Sequence, residues 1–186
     1  MFTREELENC TRCSLYKTRI HALAGEGNTN ADVMLIAQAP GELEDKENKM
    51  FIGPSGMMLH KLIEEAKIYK DMLYMTNLIK CTLPKNRRPK QSEIIACSSY
   101  LDMEIKKIEP KILAPLGYYS TKYIFQKFGF PSFSRKDFPE LIGKIFTSDK
   151  YRIFPLSHPA SLLYHHEFYK NSVVNFSNLR KIIGKK

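Results

Sequence analysis

Val33-Met34-Leu35-Ile36 is apolar at every position and runs straight into Ala37-Gln38-Ala39-Pro40-Gly41, a stretch built of turn residues. A strand with one wet face alternates apolar and polar side chains, so a run without alternation must be covered on both faces. Ile112-Leu113-Ala114-Pro115-Leu116-Gly117 reads the same way, with Pro115 at the strand's end or at a bulge because it gives the ladder no N–H. Leu73 to Ile79 is a further strand-like run. Between these runs lie helical patterns. Pro54-Ser55-Gly56 opens one whose buried face is Leu59, Leu62, Ile63 and Ala66. A second spans Gln91 to Lys107, with Ser92 as N-cap and Ile94, Ile95, Tyr100, Leu101, Ile105 and Ile108 inward. Tyr118 to Phe128 and Phe168 to Ile183 are two more, and Thr3-Arg4-Glu5-Glu6 fits a capping box for a short first helix. Lys144 to Thr147 and Tyr151 to Phe154 pair antiparallel around Ser148-Asp149-Lys150. Strands alternating with helices place the chain in the α/β class, as a three-layer α/β/α sandwich on a mostly parallel central sheet. With 186 residues and no repeat, low-complexity tract or linker, the expectation is one domain over residues 1–186.

No apolar run approaches the roughly 18 residues of a membrane span, so no membrane association is expected. Met1 to Glu6 carries two carboxylates and no apolar core, unlike a secretory signal. The expected location is therefore intracellular, in the cytoplasm. Lys and Arg number 29 against 20 Asp and Glu, a surplus of +9 that suits a polyanion as readily as it suits a solvated surface.

The four cysteines are Cys10, Cys13, Cys81 and Cys97. A reducing compartment argues against structural disulfides. Cys10-Thr11-Arg12-Cys13 puts two sulfurs within one turn, and Cys81 and Cys97 bracket Thr82 to Ala96, so the second pair closes only in space. Four thiolates can hold a [4Fe–4S] cluster or a structural zinc, and spacing alone leaves both open. Buried core thiols are the alternative, Cys97 above all, because it falls in a helical pattern.

In a parallel sheet, ligands bind outside the carboxyl ends of the strands. Those ends carry Gln38, Gly41, Asn77, Gly117 and His158, which makes that edge polar. Gln38 and Asn77 each offer a donor and an acceptor, as the paired edge of a nucleobase requires. Phe51 is suited to stack on a planar ring or to sit in the core, and Asn77 also suits a turn. His158 is held extended by Pro159.

Taken in order, Ala39-Pro40-Gly41-x-x-Glu44-Asp45, Phe51-Ile52-Gly53-Pro54-Ser55-Gly56, Thr76-Asn77-Leu78-Ile79-Lys80-Cys81, Ala96-Cys97 and His158-Pro159-Ala160-Ser161-Leu162-Leu163 resemble the iron–sulfur, family 4 uracil-DNA glycosylases across almost the whole chain. The resemblance implies hydrolysis of the N-glycosidic bond of a flipped deoxyuridine, starting base excision repair without nicking the strand. It favours a [4Fe–4S] cluster at Cys10, Cys13, Cys81 and Cys97. It also implies that Phe51 stacks on uracil and Asn77 reads its edge, with Gln38, Gly41 and His158 completing the base site. His158, Gln38 and Glu44 are the expected catalytic set. Ser161, Leu162 and Leu163 are expected to wedge into DNA, and Lys85, Arg87, Arg88 and Lys90 to meet phosphates. The expected partner is uracil-containing DNA, with a sliding clamp or other repair proteins as further candidates, and the chain is expected to act as a monomer.

One position departs from the pattern. Relatives commonly carry Gly-Glu where this chain has Ala37-Gln38, and an amide is no general base at neutral pH. Glu44 and Asp45 are then either carboxylates near the site or solvated loop charges. A catalytically weak iron–sulfur DNA-binding or replication-associated module of the same fold is the second reading. A zinc-bound RNA-binding domain is a third.

Overall fold

The structure, a computed structural model, describes residues 2–184, so Met1, Lys185 and Lys186 at the ends of the expected domain lie outside the described residues. Its centre is a six-stranded sheet in the order β1-β3-β2-β4-β6-β5. The strands are β1 (Glu26–Gly27), β2 (Val33–Ala37), β3 (Leu73–Asn77), β4 (Ile112–Pro115), β5 (Phe146–Thr147) and β6 (Arg152–Ile153). β3, β2, β4 and β6 are parallel, whereas the two-residue strands β1 and β5 pair antiparallel at the rims. Such short edge strands leave little template for pairing with another chain.

The helices are α1 (Arg4–Glu8), α2 (Glu42–Glu47), α3 (Pro54–Glu65), α4 (Gln91–Ile108), α5 (Tyr118–Lys127), α6 (Pro159–Leu162) and α7 (Tyr169–Ile183). Successive strand side chains point to opposite faces. Met34 and Ile36 accordingly join a core with Leu101 and Ile105 of α4 and Ile124 of α5. Val33, Leu35 and Ala37 join the opposite core, with Leu59 and Leu62 of α3 and Phe176 and Leu179 of α7. The fold is the expected three-layer sandwich, and Pro115 is the last residue of its strand. The capping box at Thr3 and Glu6 forms as its sequence requires.

Three local expectations are corrected. The acidic stretch after Gly41 is a helix, α2, rather than a loop. Ser92 lies inside α4, whose N-cap is Lys90, because the Glu93 carboxylate accepts the Lys90 N–H at 2.8 Å. Ile95 is 65% exposed, since the buried stripe of α4 runs through Ile94, Cys97, Leu101, Ile105 and Ile108 and Ile95 falls one step off it.

The core contains an ion pair. Lys80 Nζ meets Glu104 Oε2 at 2.5 Å and donates to Thr76 Oγ1 at 2.6 Å; both charged side chains are essentially inaccessible. Thr76 Oγ1 donates to the same carboxylate at 2.6 Å, and the Gly25 N–H donates to its other oxygen at 2.8 Å. Tyr74 nearby has its phenol pKa raised by burial and by the Glu104 charge. Desolvating two ions costs several kcal/mol each, and only full hydrogen bonding offsets it. Glu104→Leu strands a buried ammonium and is expected to destabilise the chain by about 3–5 kcal/mol in urea unfolding, whereas Lys80→Met/Glu104→Leu recovers much of that loss.

Candidate active site

Where β2 and β3 end, a cleft of about 580 Å³ opens between their carboxyl-end loops, α3 and α6. Its size suits a small planar ligand. Gln38, Gly41, Glu44, Phe51, Asn77, His158 and Leu163 all line it. The pairing of β2 and β3 continues past the strands, Leu78 N–H to Ala37 O at 2.8 Å and Ile79 N–H to Gln38 O at 3.0 Å, and this holds Gln38 and Asn77 side by side at the cleft floor.

Asn77 is buried, at 2% exposure. Among the described residues its Nδ2 reaches only the soft sulfur of Met50, at 3.5 Å, and its Oδ1 has no partner. A buried carbonyl oxygen left without a donor costs about 1–3 kcal/mol, so its neighbours do not explain why it is there. Phe51 is strained in another way. Its φ is +56°, an outlier for an aromatic residue, and it is buried between α3 and the cleft. Gly56 allows this, because a Cβ there would stand 2.1 Å from the Phe51 carbonyl oxygen.

His158 is the N-cap of α6, and its Nδ1 accepts the Ala160 N–H at 3.2 Å. A nitrogen that accepts carries no proton, so the neutral ring bears its hydrogen on Nε2. Burial pushes the imidazole pKa down to about 4. Gly117 lets the histidine sit where it does: its φ is +84°, and a Cβ would lie 2.9 Å from His158 Cβ.

Of the two carboxylates, Glu44 alone lines the cleft. It is buried on the first turn of α2 and accepts the Gly53 N–H at 2.9 Å, while Gly41 caps the helix beside it. Asp45 is turned away and accepts the N–H groups of Ile20 and His21, so it ties the N-terminal segment down. Neither is a solvated loop charge.

The four cysteines line one cavity together with Arg12, Arg19 and Lys80. Cys10 and Cys13 come from the loop after α1, Cys81 from the end of the β3 segment and Cys97 from the second turn of α4. None is in a disulfide. Cys97 Sγ accepts the Lys80 N–H at 3.2 Å and Cys81 Sγ accepts from Arg19 at 3.3 Å. Burial raises the Cys81 thiol to about 11 and Cys97 to about 12, so any metal bound there must displace their protons. Among the described residues, no three His, Cys, Asp or Glu side chains stand close enough to grip one metal ion.

On the outer face, Lys85, Arg88 and Lys90 are exposed, but Arg87 is committed. It forms a two-pronged pair with Glu93 at 2.5 and 2.9 Å, which holds the Glu93 carboxyl below its usual range. Leu162 is corrected: at 1% exposure it belongs to the core with Phe176 and Leu179, because α6 turns that side inward. Ser161 is half-buried and its hydroxyl donates to the His158 carbonyl at 2.7 Å. Leu163 and the 81% exposed Tyr164 remain at the mouth. Sequence reasoning missed Leu83 and Asn86, cleft residues contributed by the segment between Cys81 and Cys97. The paired left-handed residues Lys85 and Asn86, at φ +53° and +51°, turn that segment over the cleft, and no local motif announces them.

Comparison with known proteins agrees with this geometry. The model of the uracil DNA glycosylase superfamily matches residues 24–178. A type-4 uracil-DNA glycosylase of Sulfurisphaera tokodaii is 39% identical over 182 residues, covering 96% of this chain and 82% of that protein. One from Saccharolobus solfataricus is 37% identical over 187 residues, covering 98% and 85%, and one from Archaeoglobus fulgidus is 28% identical over 187 residues, covering 97% and 92%. By its matched length and its shared sequence, this chain belongs to the uracil DNA glycosylase superfamily and, within it, to the type-4 branch.

Proposed function

We propose that this chain draws a deoxyuridine out of the DNA stack and hydrolyses its N-glycosidic bond, releasing uracil and leaving an unbroken strand with an abasic site. The unpartnered, buried Oδ1 of Asn77 carries this reading. Uracil presents an N–H beside a carbonyl oxygen, and Asn77 meets that edge with its own acceptor and donor. Phe51 supplies the stacking face.

As the bond breaks, its electron pair goes to uracil N1, charge spreads onto the base oxygens and the sugar becomes cation-like. His158 donates its Nε2–H to the oxygen beside N1, as a preorganised donor in a dry site. Water then adds to the sugar C1′ and loses its proton. Gln38 orients that water, and Glu44, buried on the same wall, supplies the carboxylate that Gln38 lacks. The Glu44 position weighs against the catalytically weak module. No lysine lines the cleft among the described residues, which supports hydrolysis over a lyase reaction.

We read the four-cysteine cavity as the seat of a [4Fe–4S] cluster rather than zinc, supported by the type-4 relatives and by four thiols facing one cavity. Among the described residues no group of three His, Cys, Asp or Glu side chains is set to hold a single metal ion, which weighs against one tetrahedral zinc. A cubane spans a wider set, and Arg12, Arg19 and Lys80 line it with positive charge. Cys10, Cys13, Cys81 and Cys97 would hold the cluster, and its contribution when bound is to fasten the 81–97 segment that walls the cleft. This also disfavours the zinc-bound RNA-binding reading. The exposed Lys85, Arg88 and Lys90 meet the DNA backbone, and Leu163 fills the space left by the flipped base.

Asn77→Ala is expected to lower single-turnover excision from a uracil-containing duplex by about 10²–10³-fold while DNA affinity is retained. Because the His158 pKa is lowered from 6.5 to about 4, its ring stays neutral through the range where an ordinary histidine gains a proton. The pH profile of single-turnover excision should therefore show no break near 6.5 and should lose the His158 contribution only as pH approaches about 4. Elemental analysis of anaerobically purified protein is expected to give about four irons and no zinc per chain. Cys81→Ser should lose iron and expose the 82–90 segment to proteolysis.

A further inference from the structure

Residues 129–138 leave the end of α5 and fold back along it. Phe133 packs on Phe125 in the second half of the helix, with ring centroids 5.3 Å apart, and on Tyr118 at its first turn, at 5.6 Å. Phe138 closes on Tyr118 and Phe133, both at 6.2 Å. This aromatic strut carries Arg135 to the N-terminal end of α5, which lies at the carboxyl edge of the sheet. There its guanidinium stands 4.8 Å from the centre of the Tyr118 ring and 5.3 Å from that of Tyr119. Lys122 approaches the Tyr118 ring at 5.8 Å.

Two features bear on what this cation can do. Arg135 is exposed and, among the described residues, neither it nor Lys122 nor Lys136 forms an ion pair. The acidic neighbour Asp137 is occupied by the Ser134 N–H at 2.9 Å. Tyr118 also follows Gly117 directly, and Gly117 touches His158. The strand order β3-β2-β4 then puts Arg135, beyond β4, on one side of the cleft and the Lys85–Lys90 segment, beyond β3, on the other.

We infer that Arg135, held over the Tyr118 and Tyr119 rings, is a second phosphate clamp for the DNA strand that carries the flipped nucleotide; the inference rests on the glycosylase reading. A guanidinium lying on aromatic faces keeps its N–H edge free, is weakly hydrated and has lost most of its rotamer freedom before any ligand arrives. A phosphodiester is the group that such an edge fits bidentately. Two anchors flanking β2 grip the backbone on both sides of the extruded nucleotide, whereas one anchor would leave the duplex free to pivot.

The test measures duplex binding by fluorescence anisotropy across a salt series, and separately single-turnover excision, with the full chain. For Arg135→Ala, affinity should fall about 3–10-fold and the slope of log affinity against log salt should shrink by about one, with the maximal excision rate unchanged. Arg135→Lys should keep the slope. Lys107→Ala, at the amino edge of the sheet, should match wild type in both. Arg135→Gln keeps a planar group on the tyrosines and serves if the alanine variant has a lowered melting temperature. Wild-type affinity and slope in Arg135→Ala and Arg135→Gln would overturn the clamp, as would a fall in maximal rate at constant affinity. If wild type binds DNA with the Arg135-dependent slope yet excises no uracil, the glycosylase reading fails and Arg135 stands as a phosphate contact without a flipped nucleotide. If it excises uracil with an unchanged slope, only the clamp fails.

Discussion

Two charges without solvent sit at the junction of everything described above. The Lys80–Glu104 pair is fully buried, and its network reaches Thr76, the residue before Asn77, through the hydroxyl that both ions share. The Lys80 backbone meanwhile donates to Cys97 Sγ, and Cys81 is the next residue. Hydrophobic packing alone would let this stretch slide by fractions of an ångström. A low-dielectric ion pair hydrogen-bonded to Thr76 and to the Gly25 N–H does not slide, because any displacement exposes a charge to a medium that cannot solvate it. Lys80 thus registers the Asn77 amide on one side against the thiol cavity on the other.

The cleft obeys a related rule. Two of its polar side chains are held from behind by backbone N–H groups, His158 by Ala160 and Glu44 by Gly53, and the continued β2–β3 pairing fixes the backbone at Gln38 and Asn77. Orientation is therefore settled before substrate arrives, which is what electrostatic stabilisation of a short-lived charge requires. Asn77 Oδ1 is the exception: among the described residues it has no donor, and on the proposed reading the ligand would supply one.

Much of the fold was legible in the chain because the signals were strong and local. Val33 to Ile36 and Ile112 to Ala114 had no polar alternation, and each became a strand covered on both faces. What escaped depended on distant partners. Residues 42–47 read as a loop because Pro40-Gly41 announces a turn and the acids look solvated, yet Glu44 and Asp45 are buried by bonds to Gly53, Ile20 and His21. Leu162 and Leu163 are equivalent as letters, and only the packing of α6 separates the buried one from the one at the mouth. Arg87 and Arg88 likewise diverge through Glu93. The cysteine set was legible by count, but the part of the cleft wall that lies between Cys81 and Cys97 was not, since Leu83 and Asn86 belong to no motif.

That last arrangement has a thermodynamic consequence. Leu83 and Asn86 hang between two cysteines whose sulfurs face one cavity, so the cleft wall and the thiol cavity share a single tether. Whatever tightens the tether from the sulfur end narrows the range of shapes the cleft adopts. By reciprocity, whatever fills the cleft strengthens the hold at the sulfur end by the same free energy. A metal held by those sulfurs would then be guarded best while the cleft is occupied and lost most readily while it is empty.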